Sequence, residues 1–214
     1  MDEQARLLGY EEQIALRRAD LSKPHIKPLA TFAESLRERG LGLIPDFDPW
    51  DGGIRAEALF LMEKPGPKAF ASGFISRDNN DQTAENISMF MRRANIPRCK
   101  TCLWNIVPGW NRTIKLTSAE LSKGADALSE LLILLSDVRV VVLVGKRALR
   151  AWSRINDRRS LPTIESAHPS PMNYAFAREE WDKIPDQWAK VRPFLQCQIQ
   201  TETPKSSTIG TGPD

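Results

Sequence analysis

The sequence predicts an α/β protein: a three-layer α/β/α sandwich around a short, mainly four-stranded parallel sheet. Three observations lead there. Four short apolar runs lie far apart in the chain, EALFLME (57–63), TCLWNIV (101–107), VRVVVLVG (138–145) and LPTIESA (161–167). Helical patterns separate the first three, and alternation of strand and helix builds a parallel sheet covered on both faces. The run VVVLVG is apolar on both alternating faces, as a central parallel strand must be.

The elements follow in order. Residues 2–19 and 28–39 read as helices kept apart by Pro24 and Pro28, and Gly40 ends the second. IPDFDPWDGG (44–53) is rich in Pro, Asp and Gly and reads as a loop. Its acidic spacing resembles a calcium loop, but Trp50 stands where the third ligand belongs and Asp51 where glycine belongs, so calcium is rejected. After the first strand, ASGFISRDNNDQTAEN (71–86) reads as a loop running into a helix. That helix opens with Asp81 as N-cap and Glu85 in its first turns. After the second strand, Thr117 and Glu120 have the spacing of a capping box for a helix reaching Ser136. GKRALRAWSRIN (145–156) makes a helix directly after the third strand, and one last long helix is expected within 174–192. Beyond residue 200 the chain is mostly Thr, Ser, Pro and Gly, so residues 1–200 are expected to form one domain and 201–214 a disordered tail.

Composition narrows the function classes. A net charge of +3 over 214 residues excludes a histone-like polycation and allows a basic groove on one face. The three cysteines, Cys99, Cys102 and Cys197, with no secretory signal, read as reduced thiols of a cytoplasmic protein. No apolar run approaches the ~20 residues that span a bilayer, so no membrane partner is expected. Sequons at Asn86 and Asn111 read as chance matches.

Sites of open parallel sheets form beyond the carboxyl ends of the strands. Glu63, Lys64, Pro65, Gly66 and Pro67 follow the first run, Asn105 and PGWNR close the second, Gly145, Lys146 and Arg147 follow the third, and HPSP (168–171) follows the fourth. Topology alone therefore brings a carboxylate, an amide, a cationic loop and an imidazole to one edge. In HPSP the two prolines bias His168 and Ser170 toward extended backbone, which fixes where the ring and the hydroxyl wait.

These segments resemble the uracil-DNA glycosylase superfamily over roughly residues 45–180. LFLMEKPGP looks like the first family motif, in the version of the iron–sulfur branch, where glutamate precedes a small residue, proline and glycine. HPSP is identical to part of the second motif of the branch without a cluster, and LWNIV looks like the strand that carries the uracil-reading asparagine. The chain departs from both patterns. Met62 replaces a glycine, Lys64 takes the place of a water-activating aspartate, and the four cysteines of a cluster are missing, so the resemblance is to a divergent bacterial-type member that uses no cofactor.

The resemblance implies a monofunctional enzyme of base excision repair. It would act as a monomer, associate with the bacterial nucleoid through uracil-containing DNA, and release free uracil. His168 would donate to the uracil oxygen that gains negative charge, a contribution of ~3–4 kcal/mol for such donors. Asn105 would match the carbonyl and N–H edge of uracil and reject cytosine. Glu63, with Asp78 and Asp81 as rivals, would activate water or stabilise the cationic sugar. Phe74 would stack on the base, with Phe70 as its rival, a contact worth ~1–3 kcal/mol. Met172 stands where the family has an apolar wedge. Ser170, Lys146, Arg147 and Pro67 would meet DNA, the first three at phosphates. Lys64 offers an amine for nucleophilic chemistry, although the family pattern argues against it. Trp104, Trp152, Trp181 and Trp188 read as packing residues, with Trp110 a weaker candidate for DNA contact. Two other readings stay open: a slow or non-enzymatic binder that shields uracil-containing or abasic DNA, and a thiol or zinc module on Cys99 and Cys102.

Overall fold

In the computed structural model, which describes residues 5–153, 155 and 160–196, every predicted strand forms. In chain order the strands are β1 (Asp46–Phe47), β2 (Ala58–Met62), β3 (Phe74–Ile75), β4 (Thr101–Asn105), β5 (Val140–Val144) and β6 (Thr163–Ser166). The main sheet has the order β4-β2-β5-β6 and every pairing is parallel. All residues of β4 and β5 are buried, which matches their unbroken apolar character, while β6 alternates between exposed and half-buried positions as an edge strand does.

The helices are α1 (Glu11–Asp20), α2 (Lys27–Glu38), α3 (Pro67–Ser72), α4 (Gln82–Arg93), α5 (Ser118–Leu134), α6 (Lys146–Trp152), α7 (Pro171–Phe176), α8 (Arg178–Asp182) and α9 (Ile184–Ala189). They flank the sheet in a three-layer α/β/α arrangement, with α2, α5 and α6 in one contacting group and α4, α8 and α9 in another. Phe60 of β2 meets Trp188 of α9 edge-on at 5.0 Å, and Phe90 of α4 meets Trp181 at 4.6 Å. Such aromatic contacts add ~0.5–1.5 kcal/mol beyond the area they bury. Trp104, Trp152, Trp181 and Trp188 are all buried, as packing residues should be. Asp81 caps α4 by accepting from the Ala84 amide at 2.9 Å, and the Thr117–Glu120 capping box is complete. Among the described residues no helix is long and apolar enough to cross a membrane.

Three expectations are corrected. The region 174–192 holds three short helices with a 3-10 turn, because Ala177 leaves helical geometry and Pro185 starts a new helix. The first helix begins only at Glu11, after a 3-10 turn at Leu7–Gly9. Third, the segments read as loops around residues 44–53 and 71–80 meet as a second, two-stranded parallel sheet, Asp46 opposite Phe74 and Phe47 opposite Ile75. That small sheet covers the outer edge of β4, where the Phe47 ring stacks on Trp104 at 4.0 Å. The expected tail, 201–214, and Cys197 lie outside the described residues.

A buried ionic cluster ties the small sheet to the amino end of β4. Arg98 donates to Asp48 at 2.7 Å and to Asp78 at 2.8 Å, and forms an ion pair with Asp51 at 3.0 Å. Arg17 bonds Asp48 at 3.0 Å and also Asp78, while its guanidinium lies 3.3 Å from the centre of the Trp50 ring. Arg77 pairs with Asp51 at 3.3 Å and with the hydroxyl of Thr101, the first residue of β4. Buried charges of this kind cost several kcal/mol each in lost hydration, which only mutual pairing offsets.

Candidate active site

The four parallel strands end together, and the register fixes what meets there. Met62 lies opposite Asn105, and Val144 lies opposite Ser166. Past the strand ends the pairing continues, with the Val107 amide donating to the Glu63 carbonyl at 3.0 Å and the Gly145 amide to the Ser166 carbonyl at 2.9 Å. Glu63, Asn105, Gly145 and His168 thus sit at one edge of the sheet, as topology predicts.

Gly145 is the point of convergence. Its φ of +93° and ψ of 156° are open essentially to glycine alone. A methyl group there would lie 2.9 Å from Glu63 Oε1 and 3.4 Å from His168 Cβ. The missing side chain is what lets the carboxylate and the histidine approach one spot. Arg147, in the first turn of α6, reaches the other oxygen of Glu63 at 3.3 Å.

His168 is held from both sides. The Asn173 amide donates to the His168 carbonyl at 2.8 Å, and the Asn86 amide from α4 donates to the Pro169 carbonyl at 2.8 Å. Ser170 caps α7 by accepting from the Asn173 backbone amide at 3.3 Å. Below the loop, Trp188 donates to Ser166 Oγ at 2.9 Å. Burial among these neighbours, with the charge of Arg147 as the second cause, pulls the imidazole down to about 4. The ring is therefore neutral at pH 7, with one N–H left to donate.

Asn105 is only 3 % exposed, yet among the described residues no hydrogen bond ends on its side-chain amide. Its Oδ1 and Nδ2 are not among the buried polar atoms that lack a partner, so they are open to solvent and free to meet a ligand. Phe74 is buried as well, but it stands outside the contiguous apolar core.

Three of the other candidates are committed elsewhere. Asp78 is a member of the ionic cluster at the amino end of β4, where Arg17 and Arg98 occupy it, and the structure does not bring it to the strand ends. Asp81 is engaged as the cap of α4. Lys64 is spent as a clamp, donating to Asn111 Oδ1 at 2.7 Å, to the Lys115 carbonyl at 3.1 Å and to Glu120 Oε1 at 2.6 Å, so its amine is not presented as a nucleophile. Pro67 and Lys146 are exposed at the starts of α3 and α6, and Met172 is exposed on α7. Phe70 is exposed on α3, and Trp110 is buried. Cys99 lies on the surface, while Cys102 is buried with its thiol pushed well up by that burial. Among the described residues no group of three or more His, Cys, Asp or Glu is placed to hold a metal ion.

Sequence reasoning missed Asn86 and Asn173, the two amides that brace the histidine loop. Asn173 follows HPSP by two residues, so its reach back was open to inspection. Asn86 lies 83 positions before its partner and carries no local signal.

A parallel sheet with ligating groups at its carboxyl edge defines a class of α/β proteins but no single chemistry. The family comparison supplies the rest. The model of the uracil DNA glycosylase superfamily matches residues 52–195, a span that contains all four strands and the whole strand-end group, and the chain belongs to that superfamily of DNA glycosylases. No curated protein matches the chain.

Proposed function

We propose that the protein extrudes deoxyuridine from DNA and hydrolyses its N-glycosidic bond, leaving an abasic site and free uracil. One chain acting alone suffices for this. The observation that carries the reading is the convergence of Glu63 and His168 over Gly145 beside the unpartnered amide of Asn105. In the reaction the bond between C1′ and N1 breaks and its electron pair stays on uracil. Negative charge spreads to a carbonyl oxygen, where the neutral His168 donates its N–H. Glu63 takes a proton from the water that adds to C1′, and Arg147 steadies that carboxylate. Asn105 reads the uracil edge through one donor and one acceptor, and Phe74 stacks on the ring. Ser170, Lys146, Arg147 and the exposed Met172 meet the DNA around the extruded nucleotide.

The test is release of uracil from an oligonucleotide at sub-stoichiometric protein. Alkali-labile sites should accumulate over many turnovers, and Asn105→Ala or His168→Ala should abolish most of that release while remaining folded. The occupation of one Glu63 oxygen by Arg147 favours a second reading, a slow-turnover shield for damaged DNA. A stable shifted complex without alkali-labile product would select that reading.

A further inference from the structure

The loop between β4 and α5, residues 108–117, is built more rigidly than its surface position requires. At its base Trp110 and Leu43 exchange two backbone hydrogen bonds, at 2.9 and 3.2 Å. Gly109 lies so close to the Leu41 carbonyl that a Cβ would sit 2.1 Å from its oxygen, and Gly124 of α5 presses as closely on the Ile106 carbonyl. Lys64, its side chain only 3 % exposed, ties the far end through Asn111, the Lys115 carbonyl and Glu120. What this scaffold holds out is exposed: Arg112 in a left-handed conformation, Ile114 at 66 % and Lys115. Among the described residues neither the Arg112 guanidinium nor the Lys115 ammonium has a hydrogen-bond or ion-pair partner. The loop begins three residues after Asn105, where β4 ends, and its clamp is the residue after Glu63, so the loop is anchored at the rim of the strand-end group.

We infer that Arg112 and Lys115 form a second DNA-contact element, gripping backbone phosphates beside the extruded nucleotide, and that Lys64 is the positioning residue that holds this element in place. The inference rests on the proposed function, since it places DNA at that rim. Preordered cations gain more from a phosphate than mobile ones, because their ordering cost is met within the fold. It also accounts for lysine at position 64: the position serves the rim and leaves proton transfer to Glu63.

The test uses uracil-free oligonucleotides, so it does not depend on catalysis. Each phosphate contact steepens the salt dependence of binding by about 0.9 for duplex and about 0.7 for single strands. Binding of the full chain is measured over a range of salt for wild type and for Arg112→Ala/Lys115→Ala. The double variant changes only surface residues. Its slope should fall by about 1.8 on duplex or about 1.4 on single strands, and an unchanged slope on both overturns the contact element. For Lys64→Met, amide exchange at 111–116 should quicken and affinity should fall, with Lys64→Arg restoring part of both. Unaltered exchange overturns the positioning role, and should Lys64→Met not fold, Lys64→Arg alone is compared with wild type in the same measurement, where wild-type exchange together with lower affinity overturns it. Failure of the wild type to release uracil would sink the proposed reaction and leave the slope comparison intact.

Discussion

Glu63 and His168 approach the same bare backbone position, that of Gly145, from two different strands. A Cβ on that glycine would stand 2.9 Å from the glutamate oxygen and 3.4 Å from the histidine Cβ. Gly145→Ala therefore carries two penalties, backbone strain of ~1–3 kcal/mol and displacement of Glu63. The melting temperature should fall by several degrees, and single-turnover uracil release should fall at least about tenfold in the protein that remains folded. A variant with lower stability and wild-type turnover would separate the strain from the chemistry and count against the convergence.

The imidazole of His168 gives a signed pH prediction. Its folded pKa, about 4, lies below the ordinary 6.5, so between those values the unfolded chain binds more protons. Stability is then undiminished above pH 6.5 and declines as the pH falls toward 4. Asp51 acts in the opposite sense. Burial, against the pull of Arg77 and Arg98, raises it from 3.8 to about 6, so it removes stability as the pH rises through that interval. Denaturant unfolding at pH 7 and pH 4.5 should show that His168→Gln loses less on acidification than wild type, and that Asp51→Asn loses more. Parallel curves for His168→Gln would contradict the assigned burial. For the same reason uracil release should show no histidine titration between pH 6 and 8.

Asn105→Asp changes the pattern offered to the base from one donor and one acceptor to acceptors alone. Uracil excision should weaken by ~10²-fold or more, and cytosine should become a substrate. Paired oligonucleotides carrying uracil or cytosine at one site measure both. Unchanged base preference would remove Asn105 from its reading role.

Asp78 and Asp81 should behave as structural residues. Asp78→Ala leaves Arg17 and Arg98 buried with one partner fewer and should cost ~3–5 kcal/mol. Asp81→Ala loses a cap and should cost about 1 kcal/mol. Uracil release per folded molecule should stay near wild type in both, and a selective loss of turnover in Asp81→Ala would return that carboxylate to the chemistry.

The main sheet was legible because each strand announced itself: two-sided burial makes β4 and β5 continuously apolar, and parallel connection requires a helix between them. Glu63, Asn105 and His168 were legible for a related reason, since topology sends every strand end to one edge. The small sheet was not legible. Two residues of Asp-Phe and two of Phe-Ile carry no period, and the cluster beside them is closed by Arg17 and Arg98, which come from other segments. Asp78 and Asp81 looked alike in RDNND, and only the third dimension assigns one to an ion cluster and the other to a helix end. Lys64 read as a departure from a motif because its three acceptors lie 47 to 56 positions away.

Helix α4 is fastened at Asp81, where it starts, and again at Asn86, which holds the carbonyl of Pro169. Between those two points the helix works as a ruler of fixed length. Insertion of a single residue there would swing Asn86 by about 100° around the helix axis and unhook the histidine loop. The five steps from 81 to 86 therefore tolerate no insertion or deletion.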